Sequence, residues 1–152
     1  MALNAGAIAT AIAALTISGV TVKDITGIPD QVLARDCPIL MPHPNDWIVG
    51  GIGSSEDGEG PATFGPGMWV FQRAFNYLYL HGTAGAGRGL KDHMSAMGTN
   101  LDAIQTAMTT LSISGVDVME IDCSGLSVVT DPAGNQFYGF MVTVAMKERI
   151  NA

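Results

Sequence analysis

Residues 68–90 read MWVFQRAFNYLYLHGTAGAGRGL, and this stretch decides the fold. Trp69, Phe71, Phe75, Tyr77 and Tyr79 occupy odd positions, and Val70, Leu78 and Leu80 even ones. Apolar residues on both alternating faces predict a strand covered on both sides, by helices or by neighbouring subunits. From His81 to Gly89 there are four glycines in nine residues, a loop whose backbone is free to take positive φ. The periodic series beyond it predicts a helix from Lys91 to Leu111, with Leu90, Met94, Met97, Leu101, Ile104, Met108 and Leu111 on one stripe. Gly98-Thr-Asn100 marks a kink or split in that helix, with Asn100 a cap for its second half.

Working outward, residues 8–25 (IATAIAALTISGVTVKDI) align without gaps to residues 104–121 (IQTAMTTLSISGVDVMEI), ten of the 18 positions being identical. Each copy reads as a helix end, a turn and a β-branched strand. A duplication and two similar solutions to one helix-to-strand turn both account for this. On either account, both helices pack on a sheet that receives both strands. Between the copies, Pro29, Pro38, Pro42 and Pro44 forbid a long helix, and Cys37–Met41 reads as a short strand. Residues 50–67, rich in Gly, Ser and acid, read as an exposed, mobile loop. Val118–Thr130 and Phe137–Lys147 flank Asp131-Pro-Ala-Gly-Asn135 as a closing hairpin. The expectation is one α+β domain over residues 1–152, a mainly antiparallel sheet with two main helices on one face.

Charged residues make up only 14% of the 152 residues, against about 25% in ordinary soluble domains. Such a chain exposes much uncharged surface or covers it with copies of itself, and the second reading is favoured. A net charge of −7, with seven basic residues and no basic run, argues against nucleic-acid binding. Residues 2–22 carry no charge, but alanines, threonines and glycines interrupt them, and Ile8, Ile12 and Leu15 form one narrow stripe. That is a packed soluble helix rather than a membrane span or an export signal.

Candidate chemistry is sparse. The 82–89 loop has neither a dinucleotide nor a Walker fingerprint. His43, His81 and His93 have no second metal ligand at helix or hairpin spacing, and Asp24, Asp36 and Asp46 pair with no evident nucleophile. Cys37 and Cys123 lie 86 residues apart and read as free thiols. The acidic run Glu56–Glu59 lacks the ligand order of a calcium loop. The chain therefore reads as non-enzymatic, with no cofactor and no metal.

The segment FQRAFNYLYLHGTAGAGRGLKDHMSAMGTNLDAIQTAM (residues 71–108) resembles the middle of small head–tail junction proteins of long-tailed bacteriophages, the tail terminator or tail completion family. The matching pieces are Ile8–Leu15, Cys37–Pro44, Trp69–Leu80, Gly82–Gly89, Lys91–Leu111 and Val118–Lys147. The resemblance implies a protomer that closes into a hexameric ring on the tail tube. The ring stops tube polymerisation and offers a surface to the head connector. The implied setting is the virion, after assembly in the host cytoplasm. The implied partners are further copies of the chain, the tube protein and a neck protein; DNA passes through without specific binding, and no membrane is involved. Ile8, Ile12 and Leu15 of the first helix, Arg73, Asn76, Tyr77 and Tyr79 of the long strand, and Arg88 are the candidate inter-subunit residues. The residues at 50–67 and the internal echo lie outside what the resemblance explains. The alternatives are another neck or tail structural protein, or a small anion- or nucleotide-binding protein using the 82–89 loop.

Overall fold

The alternating apolar residues do form one long strand. In a computed structural model that describes residues 3–56, 68–84 and 90–151, β4 runs from Met68 to Thr83. It pairs antiparallel along its length with β7, Gln136–Asn151. These two strands form the spine of the sheet. Each shares its other edge between two shorter strands. Along β4 lie β2 (Ile39–Pro42) and β3 (Ile48–Glu56); along β7 lie β5 (Val116–Cys123) and β6 (Ser127–Thr130). A two-residue strand, β1 (Thr21–Val22), runs parallel to β2 at the margin. The seven strands are mostly antiparallel, and helices α1 (Ala5–Ala13) and α2 (Leu90–Met108) pack on one face, an α+β fold.

The face beneath the helices holds Phe75, Tyr77 and Tyr79 of β4 and Phe140, Val142, Val144 and Met146 of β7, each fully buried. Ile8 and Ile12 of α1 and Met97, Ile104 and Met108 of α2 close over them. Asn4 caps α1 by accepting a hydrogen bond from Ala7 N at 2.9 Å. On the opposite face, Leu78, Leu80 and Phe137 join Ile39, Met41 and Val32 in a second, smaller core. The proline-bearing segment between β1 and β2 supplies its cover, held by a buried carboxylate. Asp131 accepts from Val32 N at 3.0 Å and from Asn135 N at 2.7 Å. Burial alone would raise the Asp131 pKa, but the N–H groups of Val32, Asn135 and Ala133 outweigh it and hold it below the ordinary 3.8. Its contribution is therefore complete above the ordinary carboxylate range and is lost as pH falls through its own lower pKa. Asp131→Ala is expected to cost about 2–3 kcal/mol, because the buried Val32 N–H and the turn's N–H groups lose a charged acceptor. Urea titrations at neutral pH would measure it, and the gap from wild type would narrow in strong acid.

The echoed sequences share one turn. In each, the valine N–H returns to the isoleucine carbonyl, Val20 to Ile17 at 3.1 Å and Val116 to Ile113 at 3.0 Å. The intervening Gly19 and Gly115 both have φ of 75°, the third position of a type II turn. The likeness extends to the long strands, although the first passage, α1 then β1, β2, β3 and β4, has one strand more than the second, α2 then β5, β6 and β7. Asn76 and Met141, 65 positions apart, mark where the long strands change partners. His43 N donates to Asn76 O and Ser124 N to Met141 O, each at 2.9 Å. The segment at 23–38 breaks this two-fold pattern by covering one end of the outer face. Leu78 and Leu80 beneath it have Thr143 and Ala145 as counterparts at the uncovered end.

Three expectations need correction. Residues 50–56 are strand, not loop; residues 57–67 of the expected mobile loop lie outside the described residues. The glycines serve the strand itself. Gly50 and Gly51 have φ of 88° and 126° where the register shifts by one residue, and a Cβ on Gly53 would meet the Phe71 ring at 2.4 Å. Helix α2 has no break at Gly98, and Asn100 lies inside it, its amide turned onto Tyr79. The expected strand Val118–Thr130 is two strands, because Ser124–Leu126 leaves the ladder midway along β7, between Gly139 and Val142.

Candidate functional site

The candidate inter-subunit residues of the long strand lie inside the protomer. Arg73 projects from β4 onto the helix-covered side. It makes a two-pronged ion pair with Glu148 of β7, Nε to Oε2 and Nη2 to Oε1. Its guanidinium also sits 5.2 Å from the Phe75 ring centre. Glu148 is 3% exposed, so this pair is a structural element of the protomer. Asn76 is consumed as well. Its amide donates to Asp46 O, its side-chain oxygen accepts from Thr143 Oγ1, and its own N–H donates to Trp47 O, each at 2.7 Å. It thereby fixes the turn from β2 to β3. Tyr77, Tyr79, Ile8 and Ile12 are all buried under the helices. Only Leu15 of the described candidates is a half-buried apolar residue beside an open groove, between the end of α1 and α2. Arg88, with Gly85–Gly89 of the proposed anion loop, lies outside the described residues.

The histidines cluster more than their spacing implied. The Tyr79 hydroxyl receives a hydrogen bond from Asn100 Nδ2 at 2.6 Å and lies 2.8 Å from His81 Nδ1. Donation by the Tyr79 O–H to that nitrogen satisfies both contacts. His93 of α2 meets His81 edge-on, ring centres 5.4 Å apart, and leans on Tyr138 at 5.3 Å. Two imidazoles thus share a half-buried niche at the end of β4. Burial, and then the neighbouring His93, lower the His81 pKa from 6.5. The unfolded chain takes up that proton first, so stability is full above pH 6.5 and declines as pH falls towards the folded value. Chemical denaturation at pH 7.5 and 5.5 is expected to show this loss, and His81→Gln to reduce it.

No arrangement for nucleophilic chemistry is visible among the described residues. Burial, then the Asp36 charge, push the Cys37 thiol up to about 11. Burial raises Cys123 too, against a 3.5 Å contact from Gln105 Nε2 to its sulfur. Thiols held protonated are poor nucleophiles. Among the described residues no three His, Cys, Asp or Glu side chains converge as metal ligands, and no helix is long and apolar enough to cross a membrane. A concavity of about 390 Å³ lies at the start of α1 between Leu3, Ile8, Ile113, Val116 and Ile150. Its charged walls are Glu148, satisfied by Arg73, and Arg149, paired with Asp117.

What the fold leaves open is strand edge. Among the described residues β3 pairs only with β4, and β5 and β6 only with β7. Ile52 of β3 is 80% exposed, Val49 49%, and Met119 of β5 52%. Bare edges carrying large apolar side chains are what β proteins ordinarily avoid. Sequence reading missed them because the glycines of β3 read as loop; the Ile-Val-x-x-Ile spacing from Ile48 was the available signal. No known family's sequence profile matches the chain, and no curated protein matches it.

Proposed function

We propose that this chain is a structural protein of the phage virion that closes into a ring at the head-proximal end of the tail tube. There it ends tube polymerisation and joins the tail to the head connector. The observation that carries the reading is the pair of strand edges, the uncharged Ile48–Ser55 of β3 and the acidic β5, that meet no further strand among the described residues. A protomer with its core complete and both flanks open is suited to repeated contact with its own kind. The resemblance of residues 71–108 to head–tail junction proteins supplies the setting. The acid excess suits a passage for DNA, since a basic lining would hold the phosphates. Light scattering on the purified protein, followed by negative-stain imaging, tests the proposal. A discrete multiple of the 15.8 kDa protomer with ring-shaped particles is expected. A strict monomer at every concentration, and in the presence of tail-tube protein, would sink it.

A further inference from the structure

The β3 and β5 edges are matched in height and direction. Following the pairings from β3 across β4 and β7 to β5, Ile48 stands level with Ile121, Val49 with Glu120 and Ile52 with Asp117. Three antiparallel pairings separate β3 from β5, so the two edges run antiparallel to each other. A rotation about an axis along the strands preserves height and direction. It therefore brings β5 of one copy beside β3 of the next in antiparallel orientation. Both strands also carry their bulge beside the Arg73–Met146 pair, at Gly50/Ile52 and at Val118/Glu120. The two edges thus change course together.

Charge selects this contact over its rivals. The β5 edge presents Glu120 and Asp122, both exposed, beside Asp117, which is paired with Arg149, so it repels a second β5. From Ile48 to Ser55 β3 carries no charge and neither lysine nor proline, the usual guards of an edge. Pairing β3 with β3 would make a closed dimer and leave β5 bare. Head-to-tail pairing covers both edges with one contact and makes a ring where its rotation closes.

We infer that the β3 edge of one copy forms an antiparallel ladder with the β5 edge of the next, making the sheet continuous around the assembly. This rests on the ring reading and names its contact. Directly opposed residues of an antiparallel pair have Cα atoms about 4.5–5.5 Å apart, within disulfide reach. The test is paired cysteines, Val49→Cys with Glu120→Cys, in a Cys37→Ser/Cys123→Ser background under mild oxidation, run on non-reducing gels. A ladder of covalent multimers is expected from the double variant and not from either single one. Ile52→Cys with Asp117→Cys serves as an independent second pair if the first folds poorly. Dimers from Val49→Cys alone would point to β3–β3 pairing and overturn the inference. Rings seen by imaging with no cross-link from either pair would overturn the edge assignment while leaving the ring intact. A protein that stays monomeric would remove both.

Discussion

Glu148→Ala is expected to destabilise the protein by about 3–5 kcal/mol, because it leaves the Arg73 guanidinium in the interior without its counter-ion. Glu148 is 3% exposed, and the Arg73 side chain 13%. Little water can enter to replace the lost carboxylate. In a chain of this size each kcal/mol moves the melting temperature by roughly 2–4 °C, so the variant should melt at least 6 °C lower. The charge-free double variant Arg73→Met/Glu148→Leu should recover most of the loss, since apolar side chains in place of a buried pair are often neutral or better. Calorimetry on the three proteins checks both statements. A loss below about 1 kcal/mol for the single change would mean a solvated pair. That outcome would return Arg73 to the list of residues available to a neighbouring subunit.

Gly139→Ala should be at least as damaging. Gly139 lies opposite Leu80, just before β4 takes up an extra residue at His81. There the Tyr79 carbonyl presses against β7. A Cβ on Gly139 would sit 1.9 Å from Tyr79 O and 3.0 Å from Val129 Cγ2. The first obstacle is backbone in the centre of the sheet, so no rotamer change relieves it. Overpacking usually costs about 1–3 kcal/mol, and this substitution belongs at or beyond the upper end. Urea unfolding measures the loss, or an insoluble product reports it. A change at Gly134 of the same chain, where nothing lies near the added carbon, makes a fair control for handling, although its φ of 86° brings a smaller cost of its own.

Where side-chain periodicity carried the information, the sequence was legible. The two-faced alternation of 69–80 gave β4, the three-and-four spacing from Leu90 gave α2, and the repeated Leu-x-Ile-Ser-Gly-Val gave both helix-to-strand turns. Glycine hid β3, because Gly50, Gly51 and Gly53 answer to a bulge and to the Phe71 ring on the neighbouring strand. What covers the prospective inter-subunit residues was left open for a related reason. Apolar stripes such as Ile8-Ile12 and Tyr77-Tyr79 say that a surface is buried, not which molecule buries it. The lone charge of Arg73 has its answer 75 residues away in Glu148, a distance no local pattern spans. The same holds for Asp131 and Val32, 99 residues apart.

The strap at 23–38 makes the sheet unequal from end to end. Around β2 both faces are covered; around β3 and β5 only one is. Backbone amides should report this as a gradient of opening. Deuterium should enter Val49–Ser54 early and Ile39–Met41 late, with the β4–β7 spine slowest of all. The end that opens first is the end proposed to meet the next copy. Assembly then acts as the last step of folding, and the same amides should slow once subunits join.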